Sequence, residues 1–286
     1  MNGGSIQWLG QAGFMIQSPE GVRIAIDPYL GDSCMRQVGF KRMMIAPVQM
    51  EDFEADALLI SHEHPDHLDM DLMRVLENKP AVKIYGNSAC RETLRSAEMN
   101  PQRIQEISIG DVFWVGDVEV CAVPCDHGKQ CVKPLGFLLS VGGRRIYFAG
   151  DTACYPELLK PAIEAQPDVA ILPINGRFGN LDEKDAVRLA GMLNCDAVIP
   201  CHYWMFVEHG GNPLKFRECM AAELPKVTAA VLAPGETPVS YTHLDVYKRQ
   251  IQIHSNGGNG SRNPADHVCL SVFAEVLYQG DYAGRR

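Results

Sequence analysis

Apolar residues recur with two different periods along this chain, and the switch between them divides it in two. Short alternating runs at residues 6–9, 14–17 and 22–26 predict strands, with Gly10, Gly13, Pro19 and Gly21 marking the turns between them. The run Asp56-Ala57-Leu58-Leu59-Ile60 is continuously apolar after its first residue and predicts a short buried strand, and residues 68–77 continue as a helix. A strand at 82–85, a helix at 88–97 and short strands at 104–107, 112–114 and 118–123 follow. Residues 136–141 and 144–149 pair as a hairpin across Gly142-Gly143. Beyond residue 156 the two periods alternate: helices at 156–164, 183–193 and 213–222 are interleaved with strands at 169–172, 197–200 and 229–232. A strand-rich half followed by an alternating half predicts an α/β (α+β) fold of two packed sheets with helices outside. Only residues 28–48 break the pattern. They read as one long Met-rich loop carrying Arg36, Lys41 and Arg42, a length uncommon unless functional.

Composition narrows the partners. At 286 residues the chain can bury a sizeable core, and 46% hydrophobic with 21% charged content is ordinary for a globular protein. A net charge of −9 argues against a nucleic-acid polymer as partner. A small anionic substrate stays open, because a metal site brings its own positive field. The N-terminus carries no basic-then-apolar leader and no run reaches membrane-spanning length, so a cytoplasmic location without membrane attachment is expected. The ten cysteines include no C-x-x-C pair and fit that compartment; Cys125, Cys131 and Cys201 read as small buried thiols. Homo-oligomerisation is left open.

The chemistry concentrates at residues 61–69, S-H-E-H-P-D-H-L-D, immediately after a predicted strand. His62, His64, Asp66 and His67 fall within six positions, too dense for ordinary packing, and imidazole with carboxylate suits a borderline divalent metal. Residues two apart in extended chain point the same way, so His62 and His64 can grip one ion. Asp66 and His67 lie where the chain turns into a helix and face elsewhere, towards a second ion. Three further strand ends repeat the design: Val123-Pro124-Cys125-Asp126-His127, Phe148-Ala149-Gly150-Asp151 and Ile199-Pro200-Cys201-His202. Each is weak alone. Jointly they are strong.

The C-terminal region reads differently. Residues 239–250, V-S-Y-T-H-L-D-V-Y-K-R-Q, can be back-translated into DNA that is its own reverse complement apart from a short overhang. Such a palindrome resembles two transposase mosaic ends joined head to head, as used in sequencing-library preparation. The expectation is one folded domain over 1–238, an adapter translation over 239–250 and a chimeric, poorly ordered tail over 251–286. His243, His254 and His267 then leave the ligand pool, and six histidines remain: 62, 64, 67, 127, 202 and 209.

With these residues in place the chain resembles the metallo-β-lactamase superfamily, whose H-x-H-x-D-H signature is matched by His62, His64, Asp66 and His67. The superfamily's later His, Asp and His match His127, Asp151 and His202 in the same order. Within it the chain is most similar to the L-ascorbate-6-phosphate lactonase-like branch. That similarity lies at Trp8-Leu9-Gly10, Ile26-Asp27-Pro28-Tyr29, Ile174-Asn175-Gly176-Arg177 and Ile199-Pro200-Cys201-His202-Tyr203, and covers most of residues 5–236. Many relatives have His after the early Leu-Gly; here Gln11 stands there, and no ligand role is carried to it.

The resemblance implies a four-layer αββα sandwich and two divalent metal ions, Zn2+ or Mn2+. His62, His64 and His127 would hold one, Asp66, His67 and His202 the other, and Asp151 would bridge them. A shared water, its pKa lowered towards neutrality, would then attack a lactone or ester carbonyl of a small anionic sugar acid. Asp66 and Asp151 would be catalytic, with Asp66 as proton shuttle. Asp27 would orient a ligand histidine from behind. Arg177, with Asn175, would bind the substrate's anion, since guanidinium matches phosphate or carboxylate, and Tyr203 would line the pocket. Two other functions compete: a phosphodiesterase of the same fold, and a metal-binding or sensor protein without turnover.

Overall fold

The computed structural model describes residues 4–129 and 131–236; the segments 239–250 and 251–286 lie outside the described residues. Strands β1 (Ser5–Gly10), β2 (Gly13–Gln17), β3 (Arg23–Ile26), β4 (Ala57–Leu59), β5 (Lys83–Gly86) and β6 (Ile104–Glu106) form one sheet in that order. Strands β7 (Val112–Val115), β8 (Val118–Pro124), β9 (Leu135–Val141), β10 (Arg144–Phe148), β11 (Val169–Pro173), β12 (Ala197–Cys201) and β13 (Thr228–Ala229) form the other.

Each sheet is half meander and half parallel. In the first, β1, β2 and β3 pair antiparallel and β3 to β6 run parallel. In the second, β7 to β10 pair antiparallel and β10 to β13 run parallel. The burial pattern follows. The parallel strands β4, β11 and β12 are buried at every position, whereas β8 and β9 partly alternate, as expected of strands covered on both faces and on one.

Helices α1 (Ser33–Val38), α2 (Met70–Leu76) and α3 (Ser88–Ser96) belong to the first half, and α4 (Lys160–Ala165), α5 (Glu183–Leu193) and α6 (Pro213–Glu223) to the second. Asp69, Asn87, Asp182 and Asn212 cap α2, α3, α5 and α6 through side-chain oxygens. A large apolar core joins the two sheets, where the Phe14 and Phe148 rings meet edge-on with centroids 6.3 Å apart. A second core packs Leu58 and Ile60 against Leu72, Met73 and Leu94 of α2 and α3. The layers are helix, sheet, sheet, helix, which is the expected sandwich.

Three local expectations shift. The loop at 28–48 contains α1, a single six-residue element without a capping side chain, too short to show a helical period. The helix expected from residue 156 begins at Lys160, because Pro161 has no N–H to give to the carbonyl of residue 157 and is tolerated only in a first turn. The last strand pairs at Thr228 and Ala229 rather than over 229–232.

Chain direction explains where the strand ends fall. β1 and β3 both pair antiparallel with β2, so both run towards the same end of the sheet. β8 and β10 both pair antiparallel with β9, so they do likewise. The return strands β2 and β9 are followed by no candidate residue. Gly150 makes one of these exits possible: its φ is +66°, and a Cβ there would lie 2.8 Å from the Leu135 carbonyl oxygen. Gly150→Ala is therefore expected to destabilise the fold by about 1–3 kcal/mol, read as a lower urea midpoint with an unchanged slope.

Candidate metal centre

Every expected ligand leaves a strand end and turns into one space. His62, His64, Asp66 and His67 follow β4, His127 follows β8, Asp151 follows β10 and His202 follows β12. His62 Nε2 and His127 Nε2 lie 3.0 and 3.3 Å from His64 Nδ1. On the other side His67 Nε2 and His202 Nε2 are 3.3 Å apart, and His202 Nε2 is 3.2 Å from Asp66 Oδ2. Asp151 stands between the two groups. Its Oδ1 is 3.3 Å from His67 Nε2 and 3.1 Å from His202 Nε2, while its Oδ2 is 3.7 Å from His127 Nε2.

These donors fit a cation better than they fit one another. Asp151 Oδ1 is buried and satisfies no hydrogen-bond geometry, although the His67 and His202 Nε2 atoms lie 3.3 and 3.1 Å from it. His62, His67 and Asp151 form one group with metal-ligand spacing, and Asp66, His67 and His202 form another. His67 belongs to both, so the two clusters together offer three imidazoles and two carboxylates, a donor set that suits a borderline divalent cation.

Behind the donors sits one carboxylate. Asp27, fully buried at the end of β3, takes a hydrogen bond from the Ser61 backbone N–H at 2.8 Å and another from the Ser61 hydroxyl. Its Oδ2 is 2.7 Å from His67 Nδ1, which leaves Nε2 facing the ligand cluster. The Ser61 hydroxyl oxygen also lies 2.9 Å from His62 Nδ1, so Asp27 steadies a histidine on each side.

Electrostatics divides the cluster. Burial presses the His62 imidazole well below its usual range, with His67 adding to it, and burial lowers His127 as well. Burial also presses on His67 and His202, but there the carboxylates win. Asp151, Asp66 and Asp27 raise His67 well above its usual value, and Asp151 with Asp66 raises His202 to about 9. Burial opposes ionisation of Asp66 and Asp151, yet His67 and His202 hold both well below the usual carboxylate range. The carboxylates thus favour positive charge in the space between these two histidines, where a cation would sit.

The structure adds residues that sequence reading left out. Gln11 donates from Nε2 to Asp66 Oδ2 at 2.8 Å and lies 3.2 Å from His209 Nδ1, so it positions a ligand carboxylate. His209 stacks on His202 with ring centroids 4.7 Å apart; burial first, then His202, push its imidazole down to about 4. The only signal for His209 was that it remained unassigned among six histidines. Cys131 lies with His62 and His127 in a third group whose donor atoms all fall within 4.8 Å. Burial pushes its thiol up to about 12, so it stays protonated at neutral pH.

The expected substrate groups sit elsewhere. A cavity of about 210 Å³ opens over the cluster, and Arg177, Asn175 and Tyr203 are not among its lining residues. Tyr203 packs on Trp8 with centroids 5.1 Å apart, drawn into the core because its ring is mostly apolar. Asn175 is buried and donates to the Arg177 carbonyl, which makes it a loop brace. Arg36 pairs with Asp71. Arg42 donates to the carbonyls of Tyr29, Leu30, Gly31 and Met44, so it fastens the 28–48 segment instead of facing a ligand.

Comparison with known proteins follows this geometry. A model of the beta-lactamase superfamily domain matches residues 22–203. The chain is 31% identical over 246 residues to a UPF0173 metal-dependent hydrolase of Myxococcus xanthus, covering 80% of each chain. It is 30% identical over 244 residues to one from Carboxydothermus hydrogenoformans, covering 82% of this chain and 99% of that one. Among solved structures, the metallo hydrolase Igni18 from Ignicoccus hospitalis is similar at a TM-score of 0.66 and 23% identity, over 82% of this chain and 97% of that one. An isothiocyanate hydrolase from Delia radicum gut bacteria matches at 0.67 and 21%, over 82% and 99%. At these identities the two structures are alike in fold.

Two outcomes are expected. Asp27→Asn weakens metal binding about 10–100-fold in a competition titration, with the circular dichroism spectrum retained. The raised His202 contributes stability to the metal-free protein that is full below about pH 6.5 and is lost as pH rises through about 9. Metal-free melting temperature should thus fall between pH 7 and 10, while apparent metal affinity rises over the same interval with proton release measured by calorimetry.

Proposed function

The chain belongs to the UPF0173 metal-dependent hydrolases of the metallo-β-lactamase superfamily, and from that premise we propose that it uses two metal ions to open a carboxylic ester or lactone. The observation that carries this reading is the Asp151 carboxylate, one oxygen beside His67 and His202 and the other beside His127. Two divalent cations, manganese or zinc, would polarise the carbonyl there and lower the pKa of a water towards neutrality.

The chain's own residues do the rest. Asp27 fixes the His67 ring by its Nδ1 and so keeps Nε2 directed at the cluster. Gln11 holds Asp66 in place through Oδ2. The Asp66 side chain is 14% exposed against 5% for Asp151, so Asp66 is the carboxylate best placed to accept the proton of the attacking water. The water oxygen bonds to the carbonyl carbon, the bond to the alkoxy oxygen breaks, and Asp66 returns the proton to that leaving oxygen. A lactone gives a hydroxy acid. The resemblance of residues 8–10, 26–29, 174–177 and 199–203 to the lactonase-like branch favours carbonyl over phosphoryl chemistry.

The test is metal analysis of the purified chain together with assays of aryl esters and γ-lactones against bis-aryl phosphodiesters. At least one tightly held metal and turnover of the esters or lactones are expected. Asp66→Asn should lower kcat about 10²–10⁴-fold. Less than one metal per chain with every substrate untouched would sink the hydrolase reading, and turnover of phosphodiesters alone would move it to a phosphodiesterase.

A further inference from the structure

The cavity changes character from floor to wall. Its floor is the ligand cluster; its wall is Cys34, Val38, Phe40, Pro65 and Phe178, with the His209 ring between. Cys34 and Val38 are i and i+4 on α1 and share one face. Val38 is 51% and Phe178 45% exposed, so both offer apolar surface at the mouth. The Phe40 ring bridges them to the interior, with centroids 6.0 Å from Phe178 and 5.8 Å from Phe206, which in turn lies 5.5 Å from Tyr29.

This wall is built firmly. The Asp69 side chain accepts from the backbone N–H groups of Leu30 and Gly31 and from the Ser33 hydroxyl, which ties the start of α1 to α2. Asp71 accepts from the Asp32 N–H and pairs with Arg36, and Arg42 clamps the carbonyls of residues 29–31. Arg36 and Arg42 are thus engaged in holding this segment, while Lys41 is exposed. Among the described residues lining the cavity there is no lysine or arginine. A substrate anion would find no guanidinium or ammonium group in that lining, while an uncharged group would find apolar surface on α1 and Phe178.

We propose that this pocket selects a small substrate with an uncharged apolar group, an aryl ring or short alkyl chain, next to the carbonyl, seated between α1 and Phe178. The inference rests on the hydrolase reading and replaces the sugar-acid anion expected from the sequence. The cavity, about 210 Å³, is below the usual range for drug-sized ligands, which restricts the group to roughly one ring.

The experiment is a calorimetric titration of the manganese-loaded or zinc-loaded full chain with carboxylic acids that mimic the product: acetate, butyrate, phenylacetate, succinate and 3-phosphoglycerate. Affinity should rise about fourfold per buried methylene from acetate to butyrate and at least about tenfold from acetate to phenylacetate. Succinate and 3-phosphoglycerate should bind no better than acetate. Phe178→Ala and Val38→Ser, both at exposed positions, should each remove a large part of the phenylacetate preference and leave acetate unchanged. Tighter binding of succinate or 3-phosphoglycerate than of phenylacetate, or a preference indifferent to both variants, overturns the proposal. Apolar preference with no ester turned over would leave this pocket assignment standing and remove the hydrolase reading instead; turnover that favours charged acyl groups would do the reverse.

Discussion

A single buried carboxylate holds the functional end of this molecule together. Asp27 lies at the end of β3 with no exposure, takes two hydrogen bonds from Ser61 at the end of β4 and holds His67 by its Nδ1 nitrogen. A charge buried this deeply is tolerable only when its oxygens are satisfied, and the partners that satisfy it are the residues that must be fixed for ligation. Stability and chemistry therefore impose the same geometry. Ser61 extends the constraint to His62, so one aspartate steadies histidines on both sides of the cluster.

The arrangement of strands supplies the convergence. Each sheet contains one return strand in its meander, β2 or β9, and the strands on either side of it finish at the same edge. The parallel halves add further ends at that edge, those of β4 and β12. Six separate stretches of sequence deliver side chains to one space without any needing to know the others' positions. Loop 28–48 then closes one side, fixed by Asp69, Asp71 and Arg42 and by a small apolar cluster of Tyr29 and Cys34 with Met205 and Phe206.

Much of this was legible beforehand because it is written locally. Alternating and continuous apolar runs report burial on one face or two, and they placed most strands near their observed bounds. That the imidazoles and carboxylates after β4, β8, β10 and β12 converge was legible because such groups at strand ends have few structural uses. Gln11 escaped because a glutamine carries no chemical signature of its own; its role appears only where its amide meets Asp66, 55 positions away in the chain. Tyr203 misled for the complementary reason. Its side chain suits a substrate site, but suitability does not say which way a ring faces, and packing on Trp8 took it inwards.

Sequence alone determined the donors, the family they belong to and the two-sheet architecture, since each depends on residue type and short-range period. Tertiary structure alone decided the character of the space around them. Arg36 and Arg42, basic positions of the long 28–48 loop, are claimed by Asp71 and four backbone carbonyls, and Val38, Phe40 and Phe178 are among the residues that form the wall. A charge acts on whatever lies within a few ångströms, and only the folded chain fixes what that is.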